Sequence, residues 1–186
     1  MAKLFVLDLE TSISKGPHSG TFRDPSNDFY TLIYGTNPGA VVVEHKEEGF
    51  KRQWSQGAAD LLNKSDIIIG HNAPFDLSYL WKTKELQDFI KKGGTTWDTQ
   101  IAEYLMSGQR HAFASLAELQ LLYLDQKVKE SRISGLFKKK HGADEIIKAK
   151  DRCPRIFKLF DKYSKDDGET TFKIALKQIE RAKRLG

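Results

Sequence analysis

The chain has 186 residues, 39% of them hydrophobic and 30% charged, which suffices for a single domain over residues 1–186 and not for two cores. No stretch approaches the apolar length needed to span a bilayer, and Met1-Ala2-Lys3 leads straight into a strand-like segment with no room for a leader peptide. One cysteine, Cys153, excludes an internal disulfide and a cysteine-based zinc site and suits a reducing cytoplasm. The formal net charge of +5 fits a polyanionic partner, but solubility explains it equally well.

Leu4-Phe5-Val6-Leu7-Asp8-Leu9 is an apolar run broken by one acid, the pattern of a central strand buried on both faces. Residues 14–28 are rich in Ser, Gly, Pro and Asp and read as a long loop of the kind that often carries function. Residues 29–35 and 40–45 are strand-like runs around Thr36-Asn37-Pro38-Gly39, which predicts a hairpin. A short helix over 56–63 precedes the buried-strand run Asp66-Ile67-Ile68-Ile69-Gly70, and Pro74 is placed to open a helix running to about residue 92. A strand at 95–97 and helices at 99–106 and 114–122 follow. The segment 127–142, with Lys138-Lys139-Lys140, is polar and basic. Helices at 143–150, 154–163 and 166–185 complete the chain. A hairpin followed by alternating strands and helices predicts an α/β fold, a mixed sheet flanked by helices, with the first and fourth strands parallel neighbours at its centre.

Several acids stand apart from this plan. Asp8 and Glu10 are two residues apart on the first strand, so both project from one face while Leu7 and Leu9 face the other. Paired carboxylates repel unless a hard divalent cation such as Mg²⁺ or Mn²⁺ sits between them; a strand emerging into solvent would also explain the pair. Asp76 follows the fourth strand in Gly70-His71-Asn72-Ala73-Pro74-Phe75-Asp76. It reads either as a first-turn helix acid or as a ligand beyond the carboxyl end of a central strand, where open α/β sheets bind ligands. Tyr163 and Asp167 are four residues apart and share a face if their helix is continuous, although Asp166 and Asp167 could instead cap the last helix. Asp98, ahead of Thr99-Gln100, reads as an N-cap.

In order along the chain, Val6-Leu7-Asp8-Leu9-Glu10-Thr11, Asn72-Ala73-Pro74-Phe75-Asp76 and Tyr163-Ser164-Lys165-Asp166-Asp167 resemble the three motifs of the DnaQ-like, or DEDD, 3′-5′ exonucleases. The Tyr-x-x-x-Asp form resembles the DEDDy branch, most of all the proofreading exonuclease domain of family A DNA polymerases, phage enzymes included. The resemblance implies an RNase H-like mixed five-stranded sheet and hydrolysis of DNA from single-stranded or frayed 3′ ends to nucleoside 5′-monophosphates. It implies two divalent metal ions, Mg²⁺ or Mn²⁺, on Asp8, Glu10, Asp76 and Asp167, with Tyr163 orienting the attacking water. It further implies that Leu9, Thr11, Asn72 and Phe75 touch the nucleic acid, though a core role for Phe75 is equally open. A separately encoded DNA polymerase is an expected partner, and membranes are not. An RNA 3′-5′ exonuclease and a non-catalytic nucleic-acid- or polymerase-binding module are the alternatives.

Overall fold

A computed structural model describes residues 2–13, 21–126 and 142–185. Strands β1 (Leu4–Thr11), β2 (Phe29–Gly35), β3 (Val42–His45), β4 (Ile67–Gly70) and β5 (Thr95–Asp98) form one sheet in the order β3-β2-β1-β4-β5. β2 is antiparallel to β1 and to β3, whereas β4 is parallel to β1 and to β5. This is the mixed sheet expected, with β1 and β4 side by side. A register shift between Glu10 and Thr11 bends the end of β1, a device that re-aims side chains at sheet ends.

Helices α1 (Gln56–Asn63), α2 (Ala73–Leu80), α3 (Lys84–Lys91), α4 (Thr99–Met106), α5 (Leu116–Leu124), α6 (Ala143–Lys148) and α7 (Pro154–Leu185) flank this sheet. The period of two along β1 divides the core. Phe5, Leu7 and Leu9 pack with Leu62 of α1, Leu80 of α2 and Phe89 of α3 on one face. On the other, Val6 joins Ile33 and Ile69 beneath Phe172 and Ala175 of α7. Among the described residues no helix is long and apolar enough to cross a membrane.

Five expectations need correction. The helix expected from Pro74 to residue 92 is two helices, because the Thr83 hydroxyl donates to the Leu80 carbonyl at 2.7 Å, accepts from the Trp54 indole at 2.9 Å, and holds an extended backbone there. The separate helices expected at 154–163 and 166–185 are one 32-residue helix. Nothing in Ser164-Lys165-Asp166 breaks it, and Asp166 is no cap: it pairs with Lys162 one turn back on the outer surface. α5 begins at Leu116 instead of residue 114, since Ser115 and Glu118 close a capping box, and α6 stops at Lys148 instead of residue 150. β3 starts late because Pro38–Ala40 forms a 3₁₀ turn capped by the Asn37 side chain. The loop residues 14–20 and the basic residues 127–141, including Lys138, Lys139 and Lys140, lie outside the described residues.

Candidate active site

The continuity of α7 decides the geometry of the carboxylates. Two residues of strand advance about 6.7 Å and four residues of helix about 6 Å, so a helix crossing a strand at a small angle stays in step with it. Phe172 of α7 packs in the cluster around Val6. One turn earlier, Gly168 lies against Ile33, the strand partner of Asp8. Another turn earlier, Tyr163 lies within the electrostatic reach of the Glu10 and Asp8 carboxylates. Asp167, beside Gly168, therefore hangs over the row Asp8–Glu10, and its hydrogen bond with the Tyr163 hydroxyl links the two α7 residues.

Asp76 arrives from the other side. The last pair between β1 and β4 is Val6 with Ile69, so a β1 amide beyond it that faces away from β2 has no strand partner. Asp76 Oδ1 accepts the Leu9 N–H at 3.2 Å, and the Asp8 carboxylate also draws on that amide. Asp98 sets the start of α2. Its carboxylate accepts from Ala73 N at 2.8 Å and Asn72 N at 3.3 Å while capping α4 through Gln100 N and Ile101 N. Asn72 itself is left-handed, φ 57°, and makes no side-chain cap. Gly70 completes the turn: a Cβ there would lie 2.8 Å from that of Ala73.

The four carboxylates are half-buried or, for Asp76, 3% exposed, and the charges acting most strongly on them are negative. Burial first, then Asp167, pushes Asp8 up to about 7. Burial also pushes Asp167 up to about 6, against the Tyr163 hydroxyl, which lowers it. Glu10 stands well above its ordinary value through burial and then Asp8, Asp167 and Asp76. Asp76 is likewise raised by burial and Asp8, with the Leu9 amide opposing. The Tyr163 phenol is raised by burial and by Asp167, Glu10 and Asp8. Among the described residues no three His, Cys, Asp or Glu side chains form a ready-made group for a metal ion. The chemistry of the donor set nonetheless fits one: hard oxygens whose mutual repulsion a divalent cation relieves while they stay ionised.

The structure thus brings Asp8, Glu10, Asp76, Asp167 and Tyr163 to one end of β1. Leu9 is 5% exposed in the core and offers its amide more than its side chain. Thr11 hydrogen-bonds with the Tyr79 hydroxyl. Phe75 is half-buried, edge-on to Tyr79 at 5.6 Å between ring centroids, and Asn72 is exposed. The sequence reading passed over Thr31, His45 and Asp161. Thr31 pairs with Glu10 across the sheet and hydrogen-bonds His45 Nδ1 at 2.9 Å, while His45 Nε2 meets Asp161 at 3.0 Å. These three come from separate elements, so no local spacing marks them. Gly168 was also missed; a glycine inside a long helix is the signal that could have found it.

Against this geometry, the family described as 3′-5′ exonuclease, of the DNA polymerase A type, matches residues 26–178. The span contains Asp76, Tyr163 and Asp167 and begins after Asp8 and Glu10. DNA polymerase I of Aquifex aeolicus (strain VF5) is 26% identical over 117 residues, 60% of this chain and 19% of the relative, so the chain spans about a fifth of that polymerase. A solved structure described as the apo form of the nuclease superposes with a TM-score of 0.61 at 16% identity, covering 99% of this chain and 75% of its own; the two share the α/β, RNase H-like fold. Brucella melitensis NrnC bound to pGG gives a TM-score of 0.46 at 18% identity over 98% of this chain and 86% of its own.

Proposed function

The chain belongs to the 3′-5′ exonuclease family, and from that premise we propose that it trims DNA strands, single or frayed, from their 3′ ends to nucleoside 5′-monophosphates. The observation that carries this reading is the meeting of Asp8, Glu10, Asp76 and Asp167 around one strand end, with charges that raise one another's pKa. Two divalent ions, Mg²⁺ or Mn²⁺, held by these four carboxylates would supply charge neutralisation at the scissile phosphate and a water ionised near neutral pH.

The chain's own groups then divide the remaining work. The Leu9 amide holds Asp76 and Asp8 toward one another. Tyr163, with its pKa raised, keeps its proton at physiological pH, so it orients the attacking water by hydrogen bonding and does not abstract its proton. Thr11, Asn72 and Phe75 stand where the terminal nucleotide enters. The relative among polymerases supports DNA over RNA and a proofreading role alongside a DNA polymerase; the lone exposed Cys153 fits a reducing, cytoplasmic setting.

The test is shortening of end-labelled single-stranded DNA, duplex DNA and RNA of one sequence, with Mg²⁺ or Mn²⁺ against chelator. Stepwise loss of monophosphates from the DNA 3′ end, abolished by chelator, is expected. Faster trimming of RNA would reassign the substrate, and tight retention without shortening would make the chain a binding module.

A further inference from the structure

Beside the C-terminal end of α2, lined by Ser78, Tyr79 and Trp81, lies a cleft of about 800 Å³. Arg23, Lys51, Arg52, Lys82 and Lys84 contribute to its walls, against a single acid, Glu85. Lys84 is paired with Asp88, but Arg23, Lys51 and Lys82 have no acidic partner among the described residues. Trp81 (59% exposed) and Phe22 (42%) stand at its edge, large apolar side chains placed among cations.

The backbone spends strain to build this wall. Lys51 and Arg52 are consecutive left-handed residues, φ 52° and 55°, a conformation that non-glycine side chains avoid. The Asp28 carboxylate holds the turn by accepting both backbone amides, and the Arg52 guanidinium anchors it to the carbonyls of Asp24 and Asn27. The result aims two basic side chains at the cleft. One line of contacts joins the cleft wall to the strand end through the buried Tyr79: the Arg52 guanidinium lies 5.6 Å from its ring centroid, Tyr79 hydrogen-bonds Thr11, and it meets Phe75. Along the α2 axis Trp81 is about 7.5 Å beyond Asp76.

We propose that this cleft is a track for the single strand on the 5′ side of the terminal nucleotide. Phosphates lie against Lys51, Lys82 and Arg23, and one base stacks on the Trp81 indole. Isolated cations with nearby aromatic faces are the combination that holds single strands without reading sequence. This rests on the exonuclease reading for the direction of the strand; the binding itself does not.

The test uses the full chain and fluorescein-labelled DNA, a trinucleotide and a decanucleotide, binding measured by anisotropy in chelator across a salt series. Wild type should bind the decanucleotide more tightly. The double variant Lys51→Gln, Lys82→Gln should lower decanucleotide affinity about tenfold more than trinucleotide affinity and flatten its salt slope by about 1.4, two phosphate contacts on a single strand. Trp81→Ala should lower decanucleotide affinity at least about fivefold, and Trp81→Phe, which keeps a stacking face, should restore most of it. Unchanged decanucleotide affinity in these variants, or equal losses for both lengths, overturns the track. Trinucleotide hydrolysis in Mg²⁺ separates the two readings. Length-dependent binding lost in the variants, with no hydrolysis in wild type, upholds the track and rejects the enzyme. Hydrolysis with no effect of the variants on binding does the reverse.

Discussion

A methyl group on Gly168 would lie 2.6 Å from Cγ2 of Ile33, and Ile33 is the residue that pairs with Asp8 across the sheet. The missing side chain sets how closely α7 approaches the strand pair, and so how closely Asp167 approaches Asp8. Gly168→Ala should gain about 1 kcal/mol of helix propensity and lose about 1–3 kcal/mol to overpacking. The second wins because Val41 also crowds the site, at 3.1 Å. Displacement of Asp167 by about 1 Å should lower kcat about 100-fold. Thermal unfolding and steady-state kinetics on single-stranded DNA check both; a wild-type kcat would show that the spacing of α7 does not govern the site.

The carboxylates tie stability to pH in the metal-free protein. Asp8 and Asp167 rise from an ordinary 3.8 to about 7 and about 6, so the folded state binds these protons more tightly than the unfolded chain. Their contribution is fully present below about pH 3.8 and is lost as pH rises through 6 to 7. The chelator-treated protein should therefore melt at a lower temperature at about pH 8 than at about pH 5.5, and Mg²⁺ should reverse the loss. Asp8→Asn should flatten the dependence and raise the metal-free midpoint at about pH 8 while abolishing hydrolysis. Scanning calorimetry across pH decides it; a slope unchanged by Asp8→Asn would assign the dependence elsewhere.

Tyr163→Phe removes one hydroxyl and leaves the ring in its apolar setting beside Phe160. Turnover should fall about 100-fold, the scale of losing one positioned proton-bearing group, with Mg²⁺ affinity nearly unchanged. Because the Tyr163 hydroxyl lowers the Asp167 pKa, the acidic limb of the pH–rate profile should also move to higher pH. Full activity in this variant would remove Tyr163 from the reaction.

Asp98 caps two helices at once, α2 through Ala73 N and α4 through Gln100 N and Ile101 N. With about 0.5–2 kcal/mol per cap, Asp98→Ala should cost about 1–4 kcal/mol in urea unfolding. Catalysis should weaken as well, since α2 carries Asp76. A loss confined to the lower end of this range, with unaltered kcat, would mean that α2 starts correctly without the cap.

Local chemistry was enough for much of this molecule. Alternation along Leu4–Thr11 places Asp8 and Glu10 on one face, because a strand has a period of two whatever surrounds it. The apolar run ending at Gly70 and the order of hairpin, strands and helices indicate the mixed sheet. The bounds of α1 and α4 match the expected ones because each starts at a side-chain cap, Ser55 and Asp98. Other features depend on groups brought from far along the chain. Thr83 separates α2 from α3 with the help of Trp54. Asp98, legible as one cap, serves two. Asp166, a plausible cap in the sequence, is exposed mid-helix, and the turn that follows it presents Asp167 and Gly168 to the sheet. The sequence by itself determined which carboxylates share the first strand and that an acid follows the fourth. Only the tertiary structure decided that Asp76 and Asp167 meet them, because periodicity fixes the direction of a side chain within one element while contact between elements depends on packing distance.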